Sequence, residues 1–533
     1  MGGPIASTRR RFVGAAAGLL AWPAAIPAWA AGAPLRGGHL VIGASPEPTT
    51  LTSAITSAGP TQVVSGKIFD GLLTYDLQGR PQPQLATAWR VSPDGRTISF
   101  TLRPGVRWHD GKPFTSEDVA FSLTRVWKVY HSRGRGTFAN VVKVDSPDPL
   151  TSVWHLAQPA PFLLSALASS ESQLIPAHLY RKGEVLTNPA NNAPVGTGPF
   201  RFVRWNRGSD LVLERNPDYW QPQRPYLDRL TFRFLPDASA TAAALETGAI
   251  QLATNIAPAD VARLGRNPAL AIQTRPSGFT SVITSFEFNL DRPALRDARV
   301  RQALAHAIDR NFLVKNVWFG DAVAATSPVP STQPAFFDGA PPPYPYDLKR
   351  AAALLDAAGL KPDARGLRLT LSCDPYPMGP MVQAAQYLRG SLRRIGVQLN
   401  VRLQDSGEFV NRIYTRRDFD TVIYGANAGP DPAIGSQRFY LSKNFERGIA
   451  FSNGAHYNNP EVDALLAAAQ VELDPARRRG LYLQFQRIVG RDAVTLPLVS
   501  TSTPILTSRR VRDAIVSADG ALGNFAGAWL APA

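Results

Sequence analysis

The feature that most constrains the fold is a strand–helix–strand run in the C-terminal half. Residues 367–373 alternate as a strand, 381–395 carry apolar side chains at helical spacing, and Val397, Leu399, Val401 and Leu403 alternate again. Two strands joined by one helix in so short a span are parallel neighbours, because a parallel pair needs a crossover. A helix over 408–416 and another strand over 419–426 are expected next. The chain therefore contains an open α/β layer. Ligands of such sheets lie beyond the carboxyl ends of the strands, which points to the loop after Tyr424.

Upstream, strands are expected over 38–43, 97–102, 201–205, 210–215 and 230–234. Ser92-Pro93-Asp94-Gly95 is a turn, since proline presets φ and glycine accepts a positive one. Thr115-Ser116-Glu117-Asp118 reads as a capping box, followed by Val119, Leu123, Val126, Trp127 and Tyr130 on one helix face. The 533 residues allow two to four domains. With 44% hydrophobic and 18% charged residues, large cores are affordable and global disorder is excluded.

Several function classes fall away on simple chemistry. One cysteine, Cys373, excludes a disulfide framework and any multi-thiolate metal site. Basic residues exceed acidic ones by 57 to 41, a formal charge of +16. They are scattered, and Arg393–Arg394 and Arg477–Arg479 have no aromatic platform beside them, so no nucleic-acid partner is expected. No G-x-S-x-G elbow supplies a nucleophile. Gly111-Lys112 continues into Pro113, and Gly196-Thr197-Gly198 lacks a third glycine. Neither is a nucleotide loop. No two of the seven histidines stand four apart, where a helix would pair them on a metal. We expect no catalytic residue, no metal ligand and no cofactor.

The N-terminus reads as an address. Thr8-Arg9-Arg10-Arg11-Phe12-Val13 leads into a short apolar segment broken by Pro23 and Pro27, which suits a twin-arginine export signal. The same charges would also serve the general secretory route. Ala28-Trp29-Ala30 predicts cleavage after Ala30, with Ala33 as a second site. No cysteine lies nearby to carry a lipid. The expected location is the periplasm.

From this point the chain resembles a known family. SPDGRTISFTLRPGVRWHDGKPFTSEDV (92–119) matches the signature of the extracytoplasmic solute-binding proteins of peptide-type ABC transporters, the dipeptide, oligopeptide and nickel group known as family 5. IFDGLLTYD, PQLATAW, PVGTGPF, LERNPDYW, VRQALAHAID, YPYDLKRAAALLDAAG and YNNPEVDALL fit in order along the chain. The resemblance implies a periplasmic binding protein of type II, with two α/β lobes joined by two crossovers and a domain inserted in the first lobe. The implied division is a signal peptide over 1–30, lobe I over 36–55, 194–278 and 493–533, the inserted domain over 56–193, and lobe III over 279–492. It further implies a monomer that captures a peptide or similar polar solute and delivers it to permease subunits and their ATPase. A nickel chelate, sugar or opine remains an alternative ligand. A hydrolase is the alternative of another class.

In peptide-binding relatives an aspartate four residues before the proline of a D/E-P pair takes the ligand's α-ammonium. Here that pair is Asp431-Pro432 and the counted position is Ala428, so the ammonium is held otherwise or the solute differs. A one-residue gap would bring Asn427 there, still without charge. The expected ligand contacts are Tyr424, Asn427 and Asp431 from one lobe, Glu47 from the other, and Arg438 for a ligand carboxylate. Glu47 as a solvated loop residue, Asp431 as a shaper of its loop and Arg438 as a surface residue are the competing readings.

Overall fold

The computed structural model describes Gly2 and residues 33–532, other than 255, 275, 341 and 342. The paired arginines, the apolar segment and cleavage after Ala30 lie outside the described residues. Among these residues no helix is long and apolar enough to cross a membrane.

One seven-stranded sheet is assembled from distant parts of the chain. His39–Ala44 lies at its centre, parallel to both Arg229–Phe234 and Leu252–Ala253. Leu40 and Ile42, two apart and so on one face of the strand, are buried in the core that packs against it. The hairpin of Phe200–Asn206 and Asp210–Arg215 extends one edge, and Leu506–Ser508 and Leu270–Ile272 complete the other. Upstream of the hairpin, Gly196 and Gly198 press against the Ile68 backbone. A Cβ on Gly196 would come 1.8 Å from the Ile68 carbonyl oxygen, so only glycine fits.

The crossover read from the sequence builds the second sheet, of six strands. Leu369–Pro375 pairs in parallel with Val397–Val401 and with Thr421–Asn427. The helix between them, Gly379–Arg393, buries Met381, Ala384, Ala385, Leu388 and Leu392 along one stripe. Burial pushes the Cys373 thiol up to about 12, which keeps it inert. The helix expected over 408–416 runs as Ser406–Val410 and then loosens into a wider turn over Asn411–Arg416.

The chain passes between the two sheets twice, between Ile272 and Ser281 and again between Ser502 and Leu506. The second passage falls later than a boundary at 493. Thr495–Ser502 is a strand of the six-stranded sheet because it hydrogen-bonds along Ser281–Phe288. A separate four-stranded antiparallel sheet, Ala86–Val91, Thr97–Leu102, Thr151–Leu156 and Val141–Asp148, carries the 86–156 segment. Its core is aromatic, with Phe100, Phe138, Trp127 and Trp154 in mutual contact. The capping box at Thr115 and Asp118 opens the helix packed on it.

Candidate functional site

The strand Thr421–Asn427 ends at the loop that the sheet topology singles out. Ala428 is buried, its amide donating to Ser281 O at 2.9 Å. Asn427 is half-buried and shapes the turn: its Nδ2 donates to Phe279 O at 3.1 Å, and its Oδ1 accepts from Gly429 N at 2.7 Å. Gly435 folds back so closely that a Cβ there would lie 1.6 Å from Ala428 O. Asp431 is locked inside the same lobe. Its two oxygens accept from Arg478 Nη1 and Nη2 at 2.7 and 2.8 Å, with both side chains buried. That bidentate pair leaves it no face for a solute, so Asp431 anchors the loop instead of lining a cleft.

Tyr424 points into the sheet's covered face, where its hydroxyl donates to Glu287 Oε2 at 2.7 Å. Glu287 is fully buried and its Oε1 has no partner among the described residues. Burial pushes its carboxyl up to about 7, against the Tyr424 hydrogen bond and the Arg417 charge, so it titrates around neutral pH. Tyr424, Asn427 and Ala428 together line a cavity of only about 20 Å³, room for one water. Glu47 is elsewhere. Its Oε1 accepts from Trp205 Nε1 at 2.8 Å and its Oε2 from Gly208 N at 2.9 Å, tying the first strand's loop to the hairpin.

Arg438 leads to residues the sequence reading missed. Its Nε donates to Phe451 O at 3.0 Å and its guanidinium lies over Phe439, yet Nη1 is buried without a partner among the described residues. Near enough for their charges to interact stand Arg133 and Glu171, both from the segment 86–193. Arg133 Nη2 donates to Glu171 Oε1 at 2.5 Å, while Arg133 Nε, Ser170 Oγ and Gln173 Nε2 are buried with no partner among the described residues. Burial raises the Glu171 carboxyl, against the pull of Arg133 and Arg438. Burial and the nearby Arg133 bring Arg438 down to about 10. Around this cluster Tyr75 and Phe279 meet with centroids 4.6 Å apart, and Ile434 packs into the core beneath the seven-stranded sheet.

The sequence did hold a signal for Glu171. It is a lone acid in the run Pro161 to Pro176 with no basic residue inside that stretch, the pattern of a carboxylate to be buried and paired from afar. Arg133 and Arg438 carried none, because nothing in sequence separates a buried arginine from an exposed one.

The arrangement has buried donors in excess of acceptors, supplied from two separate segments of the chain. Each orphaned donor costs roughly 1–3 kcal/mol until something fills it. It has no nucleophile poised on a base, and among the described residues no group of three or more His, Cys, Asp or Glu could hold a metal ion. Such a fold and site define a protein that closes around a solute.

The chain belongs to the bacterial extracellular solute-binding proteins, family 5, whose profile matches residues 80–447. It is 30% identical over 490 residues to the glutathione-binding protein GsiB of Salmonella typhimurium, covering 91% of this chain and 92% of that one. Among solved structures it is similar to the periplasmic binding protein DppA of Helicobacter pylori in complex with the peptide STSA. That match has a TM-score of 0.78 and 25% identity, over 93% and 98% of the two chains. It is also similar to NikZ of Campylobacter jejuni with Ni(L-His), at a TM-score of 0.80 and 25% identity over 91% and 97%. These relatives are binding proteins.

Proposed function

We propose that this protein is the receptor of an ABC importer and captures a small peptide-like solute rich in carboxylate at the junction of its lobes, handing it intact to the membrane permease. The observation that carries this is the set of buried, unpartnered donors on Arg133 and Arg438, which come near enough for their charges to interact although Arg133 belongs to the segment carrying the four-stranded sheet and Arg438 follows the strand Thr421–Asn427. A carboxylate placed between them forms charge-assisted hydrogen bonds to both arginines at once. Those bonds exist only when the lobes are together, which is the differential contact that closure requires. Glu171 is the acceptor for a ligand ammonium, a role that the missing carboxylate at Ala428 leaves open.

Glutathione-like and short peptides are the first candidates, given the relatives' ligands. The excess of donors favours a second reading, an opine or a carboxylate-rich metal chelate held through its carboxylates. A thermal-shift panel decides between them, because a solute bound only by the folded state raises its melting temperature. Glutathione, tripeptides, their C-terminal amides, an opine and nickel–histidine are compared on the purified chain. A shift with free peptides that vanishes with the amides supports the reading; a shift untouched by amidation sinks the carboxylate role of the arginines.

The division into lobe I, inserted domain and lobe III, with lobe III extended through the strand Thr495–Ser502, the monomeric state and export through the paired-arginine segment belong to the same proposal. Replacing Arg9 and Arg10 by lysine is expected to strand the precursor inside the cell, read by fractionation.

A further inference from the structure

A cavity of about 340 Å³ lies between the short hairpin Leu73–Tyr75 and Pro81–Pro83 and the C-terminal segment 514–527. None of its lining residues falls within 279–502, and none is Arg133, Glu171 or Arg438, although Tyr75 and Ser169 bring it close to that cluster. Its size is within the range of small-molecule sites.

Asp519 lines it, only 6% exposed, with Oδ1 buried and without a hydrogen-bond partner among the described residues. Gln221 Oε1, on the same wall, is likewise buried and unpaired. Two acceptor atoms thus lack donors, although the Ser517 side chain hydrogen-bonds the Asp519 carboxylate. Lys67 is near but already spent: its Nζ donates to Ala521 O and Gly523 O at 2.6 Å each and lies over the Phe525 ring. Burial and the like charge of Glu171 raise the Asp519 carboxyl to about 7, only partly offset by Lys67, so a further cation at Asp519 has much to stabilise. The wall also offers a cation, Arg224, whose guanidinium lies 5.8 Å from the Tyr226 ring centroid. Arg224 is exposed and its side chain makes no hydrogen bond or ion pair among the described residues. Its guanidinium lies 3.3 Å from where a Cβ on Gly527 would stand, so the glycine keeps room for it.

We infer that this cavity is a second binding site, for a small zwitterion of the amino-acid type, its ammonium on Asp519 and Gln221 and its carboxylate on Arg224. The carboxylate oxygen without a donor and the guanidinium without an acceptor, among the described residues, are what distinguish it from a water-filled void, whose polar walls satisfy one another. The site shares no binding residue with the one proposed for the lobe junction, although Glu171 is near enough to act on Asp519 through its charge.

The test uses the full chain with L-alanine, ethylamine and propionate as probes, followed by thermal shift and calorimetry. L-Alanine is expected to raise the melting temperature more than either half-molecule at equal concentration. Asp519→Asn and Arg224→Ala are each expected to weaken its binding by about tenfold or more. Arg438→Met is expected to leave it unchanged, which separates this site from the junction. No shift with L-alanine, a shift that survives both cavity substitutions, or a shift lost in Arg438→Met overturns the assignment. Should Asp519→Asn fail to fold, the exposed Arg224→Ala decides alone.

Discussion

Two acid–arginine pairs in this molecule look alike in outline and differ in what they leave over. Asp431 and Arg478 are both buried in one lobe, and two parallel hydrogen bonds use both carboxylate oxygens. Arg478 Nε is also occupied, donating to Ala469 O at 2.8 Å. Glu171 and Arg133 are somewhat more open and share one hydrogen bond, and among the described residues Arg133 Nε and the nearby Arg438 Nη1 have no partner. The first pair is closed and holds a loop in place. The second is open, and openness at a junction between moving parts is what a binding site needs. The type of residue does not separate structure from function here; the count of satisfied atoms does.

The comparison can be broken at several points. The largest expected effect is on the closed pair: Arg478→Met strands a buried Asp431 and should cost about 3–5 kcal/mol of stability by denaturant unfolding. The double replacement Asp431→Leu with Arg478→Met should recover most of it. A single variant as stable as the parent contradicts the anchoring role. Next comes the open pair. Arg438→Met should weaken solute binding by roughly 1.5–3 kcal/mol in calorimetry while the unliganded protein melts no lower. A drop in melting without a change in affinity would reverse the assignment of the two pairs.

Glu287 sharpens the contrast through pH. Its folded value is raised to about 7, so between the unfolded value and pH 7 the folded state holds the extra proton. Its stabilising contribution is therefore full at low pH and is lost as pH rises through 7. Glu287→Gln, which stays neutral, should gain on the wild type by on the order of 2 kcal/mol between about pH 5 and pH 8. A difference that is flat with pH rules out a proton on Glu287. The smallest effect is at Glu47. Its alanine variant should lose about 1 kcal/mol of stability with solute affinity unchanged, since its two hydrogen bonds stay within the first sheet and its hairpin.

Much of the scaffold was legible in order. The strands Thr97–Leu102 and Asp210–Arg215 fall where alternation puts them, and the parallel crossover from Leu369 to Val401 follows from two strand patterns flanking a helical one. The loop after Tyr424 was indicated by topology alone. Its side chains were not: Tyr424 turned inward to Glu287 and Asp431 turned to Arg478, a residue 47 positions away.

Local pattern is written in sequence because periodicity, turns and caps depend on neighbours a few residues apart. The amino-acid order by itself thus fixed the α/β layering, the family motifs and the absence of any recognisable catalytic sequence motif. Only the tertiary structure decided which charges are spent. Arg133, Glu171, Arg438 and Asp519 meet partners, or fail to, across hundreds of residues of chain, and hydrogen-bond satisfaction is a property of atoms brought within about 3 Å, not of letters in a row.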